Sequence, residues 1–355
     1  MSPKARFPVF LLAFVIFSLV LSACGANPTP TPAVQETAEA VPATEVAEET
    51  SVVGENSVAT GAALKMALLP VLDVLPFFIA QEQGYFTDEG LSVELIPVSS
   101  ALEREQLMVA GEVDGVLTDV IGPVITNAAE GGPTVRIVAM ARRAYANAPL
   151  FRLLAAPASG VVSPADLAGR AIGISENSVI QYLADRLLAG AGLAAEDIVY
   201  ESVPAIPTRF NLMMEGQLAA SILPDPLAQA AIEAGAIPVI DDTALPDQEF
   251  SQSVLSFRNV VLAEKAEAVR AFLRAWNRAV EDLNADPNAY RQLWIENTSV
   301  PEAVRETYVI PPFPVNAITS EAVWNDVAAW LIERGIIETA PAYTDSVDAS
   351  FLPEQ

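Results

Sequence analysis

Polar side chains stand directly after several segments that read as buried strands, and they are the groups of this sequence best suited to chemistry. Carboxylate and guanidinium groups form charge-assisted hydrogen bonds to small molecules. Asp119 and Asp225 could each hold an amine or an aminopyrimidine edge. Arg142 or Arg143 could pair an anion through two parallel hydrogen bonds. The candidate ligand-binding residues are Leu72, Asp73, Ser99, Thr118, Asp119, Arg142, Ser175, Asn177, Ser178 and Asp225.

Some of these candidates can also be explained by a structural role that involves no ligand. Asp119 and Asp225 each precede a predicted helix, where a carboxylate can cap free backbone N–H groups. For Asp225, which stands before Pro226, the cap is the favoured interpretation. Of the neighbours Arg142 and Arg143, one is expected to be a solvated surface charge.

The stretch SENSVIQ predicts a helix that begins after Ser178. Ser178 and Gln181 have the spacing of a capping box. The helix would present the backbone N–H groups of residues 177–179, which suit a sulfonate, a phosphate or a carboxylate. An ordinary capped helix without a ligand has the same sequence pattern, so both interpretations stay open.

Residues that are missing from the sequence exclude several kinds of catalysis. The chain has no histidine, which excludes Ser-His-Asp and Cys-His mechanisms and zinc sites with histidine ligands. Cys24 is the only cysteine, so no disulfide can form within the chain. We therefore predict a protein that is not an enzyme and has no metal and no cofactor. A hydrolase that uses only carboxylates stays open as an alternative.

The N-terminus has the pattern of a secretory signal: Lys4 and Arg6 precede an apolar run from residue 7 to residue 21. The four residues Leu-Ser-Ala-Cys at positions 21–24 resemble the lipobox of bacterial lipoproteins. That resemblance implies a signal peptide over residues 1–23 and a lipid on Cys24. Residues 24–63, rich in Pro, Thr, Ala and Glu, then read as a disordered tether. The alternative to a cleaved signal peptide is that the apolar run of residues 7–21 stays in place as a membrane anchor.

The charge of the chain disfavours some partners. The sequence has 45 acidic and 19 basic residues and a net charge of −26. Such a surface repels nucleic acid and anionic lipid, so a membrane attachment would depend on the acyl chains. We expect a monomer that binds a small molecule.

The elements that must position the candidate residues occur twice. A strand–helix–strand–helix–strand–helix series begins near Leu64 and returns about 105 residues later. Alternating strands and helices predict parallel sheets flanked by helices, hence an α/β fold with two lobes. We assign residues 64–145 and 255–355 to lobe one and 146–254 to lobe two, with two chain crossings forming a hinge. The C-terminal helices are expected to pack on lobe one.

Four stretches of the sequence resemble periplasmic solute-binding proteins. They are LPFFIAQEQGYFTDEGLSVELIPV, LMVAGEVDGVLTD, PADLAGRAIGIS and YVIPPFPVNAITSEAVWNDVAAWLIERGII. They are similar to the branch that serves importers of sulfonates, taurine, nitrate and thiamine pyrimidine precursors. The resemblance implies the bilobal periplasmic-binding-protein fold with two doubly wound sheets. It also implies a place on the outer face of the cytoplasmic membrane, with the permease and ATPase of an ABC importer as partners.

Two other functions remain alternatives to solute capture for an importer. A ligand sensor or scaffold lipoprotein without transport would have the same sequence features. The same branch also contains pyrimidine synthases, which consume their own histidine and bind pyridoxal phosphate through a lysine. The absence of histidine departs from that pattern at the essential residue.

Overall fold

The computed structural model describes residues 62–244 and 250–354. The predicted signal peptide, Cys24 and all but the last two residues of the predicted tether lie outside the described residues. Within those two ranges, none of the helices combines the length and the apolar composition needed to cross a membrane.

Two sheets of five strands each form the framework of the described chain. The strands are β1 (Ala62–Leu68), β2 (Leu91–Pro97), β3 (Gly115–Asp119), β4 (Val135–Arg143), β5 (Phe151–Ala155), β6 (Ala171–Ile174), β7 (Val199–Ser202), β8 (Ala220–Pro224), β9 (Ile237–Asp241) and β10 (Gln252–Arg258). The first sheet has the order β2-β1-β3-β10-β4, and the second has the order β7-β6-β8-β5-β9. The spatial order is therefore repeated, as the repeat in the sequence predicts.

Helices lie in the connections between the strands and also follow β10 in the chain. They are α1 (Leu75–Glu82), α2 (Tyr85–Asp88), α3 (Ala101–Ala110), α4 (Ile121–Ala128), α5 (Val179–Gly190), α6 (Ile206–Met214), α7 (Leu227–Glu233), α8 (Asn259–Glu264), α9 (Ala266–Ala285), α10 (Arg291–Asn297), α11 (Glu321–Glu333) and α12 (Tyr343–Ser346). The predicted end of α3 at Gly111 is confirmed, because Gly111 has a φ of 77°, a left-handed conformation that glycine adopts without strain. We call the first sheet with its helices lobe one, and β5–β9 with α5–α7 lobe two.

Each sheet contains one antiparallel strand, which corrects the prediction of parallel sheets. β10 runs antiparallel to β3 and β4, and β5 runs antiparallel to β8 and β9. Both strands arrive directly from the other sheet: β5 begins beside Pro224, the last residue of β8, and Ser253 near the start of β10 pairs with Asp119, the last residue of β3. A strand that enters beside the carboxyl end of its neighbour must run in the opposite direction.

The long C-terminal helices anchor the framework. α9 packs on α1, where Trp276 lies 5.0 Å from Phe77 in an edge-on arrangement. α11 packs on α4, and its Trp330 donates a 2.7 Å hydrogen bond from its indole to Asp185 of α5. α11 therefore contacts helices of both lobes. The residue boundaries proposed above for the lobes remain predictions.

Candidate functional site

Residues of both lobes line a common cavity, which we call the inner cavity. β3 contributes its carboxyl end from lobe one, and the turn before α5 contributes from lobe two. The carboxyl ends of strands are the usual ligand-binding edge of open α/β sheets. Half of the predicted site residues meet here, namely Asp73, Thr118, Asp119, Ser175 and Ser178.

A second and larger cavity, the outer cavity, adjoins the inner one. Leu69, Val71, Ile206 and Pro224 belong to the walls of both cavities, so the two spaces share a boundary. The outer cavity is lined mainly by apolar groups and prolines. Three further predicted residues, Leu72, Ser99 and Asp225, lie in its wall.

Arg142 and Asn177 were predicted to bind ligand, but neither lines one of these two cavities. Arg142 is buried behind Asp73 and donates a 2.6 Å hydrogen bond from Nη1 to Asp73 Oδ1. Burial would lower the pKa of Arg142, but the negative charge of Asp73 raises it. Asn177 has a left-handed φ of 55° and forms the turn before α5. In the structure Arg142 therefore pairs with Asp73 and Asn177 lies in a turn, and a part for either in ligand binding stays a prediction.

The N-terminus of α5 is already occupied by acceptors of the chain itself. Asn177 N donates to Gln181 Oε1 at 2.9 Å, and Ile180 N donates to the hydroxyl of Ser178 at 3.3 Å. Val179 N points across the cavity to Asp119 Oδ2, at 3.5 Å. A carboxylate of lobe one thus stands where the sequence analysis allows for an anion, and the ordinary capped helix is the arrangement in this structure.

Asp119 caps the helix that follows it. Its Oδ1 accepts hydrogen bonds from Ile121 N at 2.9 Å and from Gly122 N at 3.2 Å. Its Oδ2 lies 3.7 Å from the Arg104 guanidinium. Thr118, beside it, donates a 2.7 Å hydrogen bond to Glu105 Oε1. Of the two interpretations given for Asp119, the structure shows the cap.

Asp225 does not cap α7, which corrects the interpretation favoured from the sequence. The cap position of α7 is Pro226, and no side chain bonds to its free N–H groups. Asp225 instead accepts two hydrogen bonds from Arg152, at 3.0 and 2.7 Å. The hydroxyl of Tyr308 approaches the same carboxylate at 3.4 Å. Burial raises the pKa of Asp225, and the Arg152 guanidinium opposes that rise.

Sequence reasoning missed two arginines that line the inner cavity, Arg104 and Arg209. They are the fourth residues of α3 and α6, the corresponding helices of the two lobes. Both are buried, with exposed fractions of 4% and 0%. The repeat that aligns Met108 with Met213 also aligns the two arginines, so the signal was present in the sequence.

Arg209 lies across β6 and is held by backbone oxygens. Its Nε donates to Ile222 O at 3.1 Å and its Nη1 donates to Val203 O at 2.7 Å. Its Nη2 has no hydrogen-bond partner, and burial lowers the pKa of Arg209 to about 10. A Cβ on Gly173 would stand 2.5 Å from Leu218 Cδ1 and 3.1 Å from Arg209 Cγ, so glycine at this position leaves room for both side chains.

Two side chains of β10 complete the polar wall of the inner cavity. Gln252 Oε1 accepts a 3.0 Å hydrogen bond from the Thr319 hydroxyl, and Gln252 Nε2 has no partner. The hydroxyl of Ser253 also lacks a partner. In the described ranges, no group of three or more acidic side chains is placed to hold a metal ion.

Known proteins are similar to this chain in sequence. A putative thiamine biosynthesis protein of Haemophilus influenzae is 24% identical over 273 residues, which are 74% of this chain and 77% of that protein. The 4-amino-5-hydroxymethyl-2-methylpyrimidine phosphate synthase THI13 of Saccharomyces cerevisiae is 25% identical over 227 residues, 60% of this chain and 64% of the yeast protein.

Solved structures show the same fold at lower identity. The alkanesulfonate-binding protein SsuA of Xanthomonas axonopodis pv. citri, bound to MOPS, superposes with a TM-score of 0.69 at 17% identity, covering 82% of this chain and 99% of that one. The ligand-binding component of an ABC-type import system from Staphylococcus aureus gives 0.67 at 13% identity, covering 82% and 97%. The fold is thus the bilobal fold of periplasmic binding proteins. Because the model of the NMT1/THI5-like family matches residues 72–290, the chain belongs to the NMT1/THI5-like family.

Proposed function

We propose that the protein is the extracytoplasmic substrate-binding component of an ABC importer, which captures a small organic solute between its lobes. The observation that carries the proposal is the inner cavity, whose polar walls come from both lobes. A solute that touches both walls would stabilise the closed arrangement of the lobes. The structural match to a ligand-binding component of an import system supports the same function.

The solute is of the kind that family members and structural neighbours handle, a sulfonate or a pyrimidine precursor. A permease and an ATPase would be the protein partners, and the protein itself would act as a monomer. Residues 1–23 would direct export, and the lipid on Cys24 would hold the protein on the outer face of the cytoplasmic membrane through the tether of residues 24–63.

The chain is proposed to leave its solute chemically unchanged. One relative is named as a synthase, but this chain has no histidine for general acid–base work. The two acidic residues that line the inner cavity are engaged, Asp73 by Arg142 and Asp119 by the N-terminus of α4. A ligand sensor without transport remains the second candidate, since it would use the same cavity.

Thermal-shift screening of the purified protein against sulfonates, pyrimidines, nitrate and amino acids tests this function. A solute present at a hundred times its dissociation constant should stabilise the protein by about 2.7 kcal/mol, which is a clear rise in melting temperature. The proposal is wrong if no compound raises the melting temperature, or if a bound compound is recovered as a different product. Loss of solute uptake in cells that lack the protein would separate the importer from the sensor.

A further inference from the structure

Three residues that line the inner cavity each have a buried polar atom without a hydrogen-bond partner: Arg209 Nη2, Gln252 Nε2 and Ser253 Oγ. The residues are 0%, 1% and 6% exposed. All three groups can donate a hydrogen bond. Buried polar groups are nearly always paired in proteins, so three unpaired donors around one cavity indicate a missing acceptor.

The charges around the cavity point to the nature of that acceptor. Arg104 lies 3.0 Å from Glu105 and 3.7 Å from Asp119. Asp73 is paired with Arg142 at 2.6 Å. Among the described residues, no carboxylate lies within ion-pair distance of Arg209, whose side chain bonds only to backbone oxygens. Burying a cation without a counter-charge is costly, and a bound anion would remove that cost.

We propose that the inner cavity binds the oxyanion group of the solute, a carboxylate or a sulfonate, with Arg209 as the charged anchor. This inference rests on the proposed function of solute capture. Arg209 donates from lobe two, while Gln252 and Ser253 donate from β10 of lobe one. The anion is thereby the group that both lobes grip when the protein closes on its solute.

The rest of the solute extends into the outer cavity. Leu69 and Val71 of lobe one and Ile206 and Pro224 of lobe two stand between the two spaces. These four side chains suit a hydrocarbon or aromatic body, and the carboxylates of Glu103 and Asp225 in the wall of the outer cavity disfavour a second negative charge. The predicted solute therefore has an anionic head and an apolar body.

Titration calorimetry with matched probes tests the proposal. Benzoate, benzenesulfonate, benzamide and benzylamine share a ring and differ in the charge and shape of the head group. We expect at least one of the two anions to bind the unmodified protein tenfold or more tightly than benzamide, and benzylamine to bind least. The ratio of benzoate to benzenesulfonate shows which oxyanion the cavity prefers. Equal or tighter binding of benzamide or benzylamine overturns the proposal while leaving solute capture intact.

A variant localises the effect. Arg209→Gln should lose at least tenfold in affinity for the preferred anion and keep its affinity for benzamide, and Arg209→Lys should retain part of the anion affinity. Arg170→Gln is the matched control, because it removes an exposed positive charge of lobe two outside both cavities. Unchanged anion binding in Arg209→Gln contradicts the proposal. If Arg209→Gln fails to fold, the relative affinities of the unmodified protein for the four probes still show whether the inner cavity prefers an anion.

Discussion

The two lobes share one framework but treat an equivalent arginine in opposite ways. In lobe one, Arg104 lies against two carboxylates, Glu105 and Asp119. In lobe two, Arg209 occupies the same position of the equivalent helix and bonds only to backbone oxygens. The two lobes have the same backbone arrangement but place different charges around the arginine. Arg209 of lobe two is therefore the cation without a counter-charge.

The residues that match the partners of Arg104 explain the difference. Phe210 follows Arg209 where Glu105 follows Arg104. Asp225, the counterpart of Asp119 after a slip of one residue, is bound by Arg152 instead. Arg209 therefore lacks a counter-charge because one equivalent acid is absent and the other pairs elsewhere.

Arg152→Ala removes the guanidinium that pairs with Asp225 at 2.7 Å. Asp225 is 2% exposed, so an unpaired charge would remain buried. We expect the free energy of unfolding to fall by about 3–5 kcal/mol at neutral pH, as for other broken buried pairs. Urea denaturation measures the loss. Arg152→Ala,Asp225→Asn should recover part of it, and equal stability of Arg152→Ala and the unmodified protein would contradict the importance of the pair.

Asp242 links the two crossings between the lobes, because it accepts hydrogen bonds from Leu150 N and Phe151 N. Burial raises the pKa of Asp242 to about 6. The folded state therefore takes up this proton at a higher pH than the unfolded state, whose carboxyl has a pKa of about 3.9. At low pH the Asp242 carboxyl is protonated in both states and does not lower the free energy of unfolding. As pH rises from about 4 to 6, the loss of stability that it causes grows to about 3 kcal/mol.

Urea denaturation between pH 4 and pH 7 tests this linkage. Comparison of the unmodified protein with Asp242→Asn isolates the contribution of the one carboxyl. We expect the stability of Asp242→Asn relative to the unmodified protein to increase with pH across this range and to level off above pH 6. A difference that stays constant with pH would show that Asp242 does not titrate in this interval.

Phe210→Glu places an acidic residue directly after Arg209, as Glu105 directly follows Arg104 in lobe one. The new carboxylate would stand beside Arg209 as Glu105 stands beside Arg104, and it would neutralise the guanidinium. We expect the affinity for the preferred anion to fall at least tenfold, or about 1.4 kcal/mol. Titration calorimetry measures this affinity. Phe210→Gln is the control, because it removes the phenyl ring without adding a charge. Anion affinity that is the same in Phe210→Glu and Phe210→Gln would refute the electrostatic explanation.

Ser178→Ala should have the smallest effect. Ser178 caps α5 by accepting a hydrogen bond from Ile180 N at 3.3 Å. Loss of such a cap costs about 1 kcal/mol of stability. A decrease of this size in urea denaturation, with anion binding within twofold of the unmodified protein, supports a structural role. A tenfold loss of anion affinity would instead restore the α5 N-terminus as a ligand site.

Local patterns in the sequence were enough to predict the repeated framework. Asp73, Thr118 and Ser175, which the sequence predicts at or near the carboxyl ends of strands, line one cavity, because local alternation of apolar and polar residues marks where strands end. Whether β5 and β10 run parallel or antiparallel to their neighbours was not predictable in this way. The alternation of apolar and polar residues is the same in both cases.

Long-range pairing and the role of helical arginines escaped sequence reasoning. Arg152 and Asp225 are far apart in the chain, and only the register of β5 on β8 brings them together. Asp225 alone looks like a cap because it precedes a helix. Arg209 looks like one more charge on a helix until the fold shows that its face is buried against β6 and β8.

A crystal structure of the protein with its tightest-binding probe from the screen is the most direct test of the account. We predict that the probe lies between the two sheets, with its oxyanion within hydrogen-bond distance of Arg209 Nη2 and of Gln252 Nε2 or Ser253 Oγ. A probe bound outside the inner cavity, or one bound inside it with its anionic group turned away from Arg209, would contradict the account.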